Sequence, residues 1–123
     1  MKVLIVEDDM LIAMDLELIV EDAGHEVVGM AADRQEALAM AHLAEVAFVD
    51  CRLRDGSTGP EIARTLAQAY GATVFHATAS RELISDEPGG ALYVIDKPYH
   101  REDILEALQV AETARANGAR CVA

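Results

Sequence analysis

Ala47-Phe48-Val49-Asp50 is an apolar run that ends abruptly in an acid, and a polar, glycine-punctuated segment, Cys51-Arg52-Leu53-Arg54-Asp55-Gly56, follows it. The pattern predicts a buried strand that delivers one carboxylate, Asp50, to a loop at its C-terminal end. Three other apolar runs stop in the same way: Val6 gives way to Glu7-Asp8-Asp9, Ala77 to Thr78, and Ile95 to Asp96-Lys97-Pro98. If these ends converge, Glu7, Asp8 and Asp50 raise one another's pKa unless a cation shares the site. Oxygen ligands of this kind suit Mg²⁺, which keeps several waters and takes one or two carboxylates plus phosphate oxygens. A carboxylate, a hard divalent cation, the Lys97 amine and the Thr78 hydroxyl together are what phosphoryl transfer onto an acid requires. In that chemistry the cation and Lys97 offset the charge on the phosphoryl oxygens, Thr78 donates a hydrogen bond to them, and Asp50 attacks in line. The product would be an acyl phosphate, which water removes in time.

The elements between these ends must bring them together. Lys2-Val3-Leu4-Ile5-Val6 reads as a strand buried on both faces, as in a parallel sheet covered by helices. From an N-cap at Asp9, the residues Leu11, Ile12, Leu16, Ile19 and Ala23 recur with helical spacing, and Gly24 supplies a stop. His25 to Gly29 is a second strand. Asp33 caps a second helix with Glu36 completing an approximate capping box, and Ala37, Leu38, Met40 and Ala41 form its apolar face. The third strand, Glu45 to Val49, leads to Asp50. Pro60 opens a helix through Ile62, Ala63, Leu66 and Ala69 that ends near Gly71. Thr73 to Ala77 and Leu92 to Ile95 are the fourth and fifth strands. Between them, residues 80–90 allow only a short or irregular helix, because Pro88-Gly89-Gly90 breaks it. A last helix turns Ile104, Leu105, Leu108 and Ala111 inward and is expected to stop at Asn117-Gly118. Five alternations of strand and helix predict an α/β fold, a doubly wound parallel sheet with helices on both faces. Such sheets bind ligands outside the carboxyl ends of their strands, where the marked residues lie.

Composition bounds the alternatives. A chain of 123 residues is one domain. Ten basic against 22 acidic residues give a formal net charge of -12 with no basic cluster, which argues against nucleic-acid binding and for cations or basic partner surfaces. The longest apolar block is far shorter than a membrane span, and Glu7-Asp8-Asp9 cut the N-terminal run too early for a signal peptide. A cytoplasmic protein without membrane insertion is the expectation. Cys51 and Cys121 have neither metal-ligand spacing nor a disulfide framework, so reduced thiols are expected. The four histidines, His25, His42, His76 and His100, lack ligand-like spacing and read as surface or strand-edge residues. Tyr99 reads as packing.

Taken together, Val6-Glu7-Asp8-Asp9, Val49-Asp50, Ala77-Thr78-Ala79 and Lys97-Pro98 resemble the motifs of the receiver domain of two-component response regulators. The resemblance covers roughly residues 1–113 and implies a flavodoxin-like strand order of 2-1-3-4-5. It assigns Asp8 and Asp50 as direct Mg²⁺ ligands with the Arg52 backbone carbonyl as a third, and gives Glu7 a role through water. It makes Asp50 the phospho-acceptor, Thr78 the switch hydroxyl and Lys97 the family's lysine, with a Lys97-Pro98 bond that is usually cis. The phosphoryl donor it implies is a phosphohistidine on a sensor kinase or a histidine phosphotransfer protein. Two features depart from the pattern. Val94 stands where most members carry an aromatic residue, with Tyr93 on the opposite side of the strand, and residues 80–90 are short for a helix that normally forms part of the output face. Phe75-His76-Ala77-Thr78 resembles the Phe-Ala-Thr signature of a subclass that lacks the aromatic and is often single-domain, although His76 departs from it. The expected organisation is a receiver domain over residues 1–117 with a flexible tail over 118–123.

The leading reading is thus a stand-alone phospho-acceptor that binds a partner, shuttles phosphate in a relay or drains it as a sink. Two alternatives stand beside it. A Mg²⁺-dependent phosphatase with an aspartyl nucleophile needs a second acid two residues on, where Arg52 sits instead. A phosphorylation-independent binding module would keep only the fold.

Overall fold

Sheet and helices form as the hydrophobic pattern demands, in a computed structural model that describes residues 1–78 and 92–122, with Thr78, Leu92 and residues 117–122 described by their backbone alone. The strands are β1 (Lys2–Val6), β2 (Glu26–Ala31), β3 (Val46–Asp50), β4 (Thr73–Thr78) and β5 (Leu92–Asp96). The helices are α1 (Met10–Asp22), α2 (Arg34–Met40, running into a 3₁₀ turn at Ala41–Leu43), α3 (Gly59–Tyr70) and α4 (Arg101–Val122). All strands are parallel in the order 2-1-3-4-5. The expected irregular helix over 80–90 lies outside the described residues.

Successive strand residues face opposite sides, so each strand feeds two cores. On one side Leu4, Val6, Ala47, Val49 and Val74 pack beneath Ala37 of α2 and Ile62, Ala63 and Leu66 of α3. On the other, Val3, Ile5, Phe48 and Phe75 pack beneath Ala13, Leu16, Ile19 and Val20 of α1 and Ile104, Leu108 and Ala111 of α4. Phe48, Phe75 and Tyr93 stack across three neighbouring strands, with ring centroids 5.4 and 5.2 Å apart, the offset contact that aromatic quadrupoles favour. Tyr93 thus lies on the α1/α4 side, opposite Val94, as strand alternation requires.

The caps follow the sequence closely. Asp9 accepts from the amides of Leu11 and Ile12 at 3.0 and 3.4 Å and starts α1. Asp33 accepts from the Glu36 amide at 2.9 Å, while the Glu36 carboxylate accepts from the Ala32 amide at 2.8 Å, one residue beyond the cap amide that a full capping box would engage. Gly71 ends α3 in the left-handed conformation, at φ 69°.

Three expectations need correction. Leu11 is 79% exposed and Ala23 is exposed; the buried stripe of α1 is Ala13, Leu16, Ile19 and Val20, which leaves Met10, Leu11, Met14 and Leu18 in an apolar row facing solvent. α4 continues past Asn117-Gly118 to Val122, because a glycine costs a helix only about 1 kcal/mol and the alanines and arginines around it favour one. His76 is no surface or edge residue: β4 is an interior strand, and His76 is fully buried between Val49 and Val94. The Lys97-Pro98 bond is cis. Among the described residues no helix is long and apolar enough to cross a membrane.

Candidate functional site

Register places the chemistry. Val6 of β1 lies opposite Val49 of β3, so Glu7-Asp8 and Asp50 leave the sheet together. Asp50 lies opposite Ala77, and Thr78 opposite Asp96, the residue before Lys97. Segments up to ninety residues apart therefore end on one rim. Thr78 closes β4 one step beyond Asp50's neighbour; its side chain is not described.

On that rim Lys97 Nζ lies 3.1 Å from Asp50 Oδ2 and 3.4 Å from Glu7 Oε2. Carboxylate oxygens of Glu7, Asp8 and Asp50 all lie within 4.8 Å of one another. Asp50 Oδ1 accepts the Cys51 amide at 2.8 Å, and Glu7 Oε1 accepts the Asp9 amide at 3.1 Å. Glu7 is buried, Asp50 half-buried and Asp8 exposed. Alternation explains the contrast between the neighbours Glu7 and Asp8: one turns beneath the rim and the other out to water. Arg52 is exposed on the loop after β3.

The electrostatics are those of a site short of positive charge. Burial pushes the Glu7 carboxyl up from 4.5 to about 7, and the nearby Asp50 adds to the rise, while the Asp9 amide and Lys97 hold it back. Burial opposes the charge on Lys97, but its hydrogen bond and proximity to Asp50, and then to Glu7, outweigh this and raise its pKa. Lys97 therefore stays an ammonium. Burial also pushes the Tyr99 phenol up, with Glu7 and Asp50 behind it, so Tyr99 keeps its proton; its hydroxyl finds no hydrogen-bond partner among the described residues, which agrees with a packing role.

Among the described residues three acids face one ammonium, and a second cation would relieve the remainder. The donor set fits magnesium. It is all oxygen, and its span is comparable with the roughly 4.2 Å between two oxygens on opposite sides of one Mg²⁺ at the usual bond length. The cluster is the only candidate metal group among the described residues.

One contact was missed by sequence reasoning. Cys51 Sγ lies 3.1 Å from His76 Nε2, both side chains buried directly behind Asp50. Burial holds the His76 pKa below its ordinary value, so the ring is neutral. The available signal was positional: His76 follows Val74 at the strand's two-residue period, in what the predicted order makes an interior strand.

Known proteins share this architecture. The family model of the response regulator receiver domain matches residues 3–109. Phyllosphere-induced regulator PhyR of Methylorubrum extorquens is 35% identical over 115 residues, which are 89% of this chain and 43% of that protein. A solution NMR structure of the PhyR receiver domain of Erythrobacter litoralis superposes with a TM-score of 0.80 at 30% identity, covering 91% of this chain and 89% of that one. The crystal structure of the anti-anti-sigma factor PhyR of Bartonella quintana gives a TM-score of 0.81 at 33% identity, covering 99% of this chain and 51% of that one. The chain spans about half the length of the curated relatives it matches. With the sheet order, the acidic rim and the match across nearly its whole length agreeing, the chain belongs to the family of response regulator receiver domains.

Proposed function

We propose that this receiver accepts a phosphoryl group on Asp50 in a Mg²⁺-dependent step, from a phosphohistidine on a sensor kinase or histidine phosphotransfer protein, and so changes what it binds. The observation that carries the reading is the placement of Lys97 Nζ 3.1 Å from Asp50 Oδ2 inside a cluster of three carboxylates. Asp8, Asp50 and the Arg52 carbonyl would hold the ion, with Glu7 acting through water. When bound, magnesium supplies positive charge to the phosphoryl oxygens. A carboxylate oxygen of Asp50 forms the new O–P bond as the P–N bond to the donor imidazole breaks; the nitrogen keeps the electron pair, and because the ring carries a proton on its other nitrogen it departs as a neutral imidazole. Lys97 then pairs with the phosphoryl oxygens, and Thr78 donates a hydrogen bond to them. The new charge on Asp50 biases a two-state equilibrium of the domain.

Signalling rather than turnover is supported by Arg52, which stands where a phosphatase would need its acid. A protein donor is supported by what lies beside the site: the exposed row Met10, Leu11, Met14 and Leu18, and an apolar hollow of about 470 Å³ between Leu11, Ile12 and Pro98-Tyr99. An exposed apolar patch with an acidic surround suits a protein surface carrying basic groups. The relatives named above are regulators, one of them an anti-anti-sigma factor, which supports a protein as the output partner as well. Effector, relay and sink roles share this chemistry and differ only in the fate of the phosphoryl group.

Acetyl phosphate with Mg²⁺ should add one phosphoryl mass, and Asp50→Asn or chelation of the metal should abolish the addition. An unchanged mass with both a small donor and a panel of the host's kinases would remove the reading and leave the binding-module alternative.

A further inference from the structure

Three contacts among the described residues hold Cys51. Its amide donates to Asp50 Oδ1 at 2.8 Å, its carbonyl accepts the Gly59 amide at 3.1 Å, and its thiol meets His76 Nε2 at 3.1 Å. The first contact fixes one oxygen of the candidate nucleophile, and the second ties the loop to the start of α3. A Cβ at Gly59 would lie 1.9 Å from the Asp50 carbonyl oxygen and 2.6 Å from Cys51 Cα, so α3 presses on this backbone as closely as a glycine permits. The third contact is the unexpected one. His76 is 0% and Cys51 2% exposed, on the side of the sheet that carries Val49, Val74 and α3, and His76 Nδ1 has no hydrogen-bond partner among the described residues.

On packing grounds this is a poor place for an imidazole. A buried ring nitrogen left unpaired is destabilising, and a leucine of similar bulk would serve the core better. What the ring contributes is a fixed point for Cys51. Asp50 has two oxygens, and only one can meet an incoming phosphoryl group in line. With Oδ1 held by the Cys51 amide, Oδ2 faces Lys97. If Cys51 were free to rock, its amide would release Oδ1 and the carboxylate would rotate about its Cβ–Cγ bond, which has a broad, soft torsional profile.

We propose that His76 is a positioning residue for Asp50, acting through Cys51: the buried thiol–imidazole contact fixes the amide that holds Oδ1 and so presents Oδ2 to Lys97 and the phosphoryl group. The inference rests on the phospho-acceptor reading and is specific to this chain's pairing of Cys51 with His76. Pre-organisation of a nucleophile is a recognised source of rate, since small misplacements carry large penalties.

The test compares His76→Leu, His76→Gln and Cys51→Ala with the wild type, following phosphorylation by acetyl phosphate at saturating Mg²⁺. His76→Leu should keep or raise the thermal midpoint yet slow phosphorylation about tenfold. His76→Gln, whose side-chain amide reaches the place of Nε2, should recover most of the rate. Cys51→Ala should match His76→Leu, and the double variant should be no slower than either single one, as expected of residues acting in one chain. The Cys51 amide resonance should move upfield in His76→Leu, reporting a weaker bond to Asp50, and return in His76→Gln. A His76→Leu protein that is phosphorylated within about twofold of the wild-type rate, with an unmoved Cys51 amide resonance, would overturn the proposal. So would a loss of rate that His76→Gln does not restore. A wild type that takes no phosphoryl group from any donor would instead sink the phospho-acceptor reading, and the amide resonance alone would then decide whether His76 positions Asp50.

Discussion

The two rims of the sheet use the same kinds of residue to opposite ends. At the amino ends of the strands, Arg115 of α4 donates to the Glu45 carbonyl at 2.8 Å and to the Gly71 carbonyl at 3.3 Å, and the Glu45 carboxylate accepts the Lys2 amide at 2.8 Å. Arg115 and Glu45 are paired there and are partly in water, as their side-chain exposures of 33% and 43% show. At the carboxyl ends, Glu7, Asp8 and Asp50 crowd the Lys97 ammonium, and the Glu7 side chain is only 4% exposed. The first rim sets an arginine beside a glutamate and contributes stability. The second is left incomplete, which costs stability and creates affinity for whatever brings positive charge or shares the negative charge out.

Substitutions on the two rims should separate these roles. The largest effect belongs to Lys97→Met, which removes the ammonium paired with Asp50: acetyl phosphate labelling at saturating Mg²⁺ should slow about a hundredfold, the scale of losing one charge-stabilising donor. Labelling within a few-fold of wild type would mean that the acidic rim does not depend on its lysine.

Next comes Glu7→Gln, read as stability of the metal-free protein against pH. Because the Glu7 carboxyl titrates near 7 when folded and near 4.5 when unfolded, the folded state binds the extra proton between these values. Wild-type stability should therefore be unaffected by Glu7 below about pH 4.5, fall as pH rises through the window, and level off above about 7. The glutamine variant should lack this loss and be more stable at about pH 8 by on the order of 3 kcal/mol, with little gain at about pH 4. A pH-independent difference in urea midpoints would show that the rim carries no such penalty.

Gly59→Ala tests the backbone wall behind Asp50. The added Cβ must displace the Asp50 carbonyl, so unfolding should become easier by about 2 kcal/mol and labelling should slow as well. Arg115→Ala, on the opposite rim, should lower stability by about 1 kcal/mol and leave the labelling rate alone. If Arg115→Ala slowed labelling, the division between the rims would fail.

Much of this was legible because it is written locally. An acid after an apolar run marks Asp50, a proline after a lysine marks Lys97, and Asp9, Asp33 and Gly71 announce helix ends by types whose backbone and side-chain preferences act over a few residues. The convergence of the marked ends followed from the parallel order alone. What stayed hidden depends on partners distant in the chain. Leu11 opens a second apolar row, with Met14 and Leu18 at i+3 and i+7, as regular as the one through Leu16, and only the position of the sheet beneath the helix decides which row is covered. His76 reads as a polar residue until its strand is flanked on both sides, and its contact with Cys51 spans two strands. The end of α4 was missed because a glycine is a preference and not a barrier, and Arg115, one turn earlier, anchors the helix to the sheet.

The apolar row along α1 sets limits on how the molecule behaves in concentrated solution. Met10, Leu11, Met14 and Leu18 are sticky, yet a formal charge of -12 keeps identical copies apart. That protection acts over about 8 Å at physiological ionic strength and about 3 Å in molar salt. Added salt thus removes the repulsion and leaves the adhesive helix face uncovered, so the protein should disperse best in dilute buffer and self-associate as counterions accumulate.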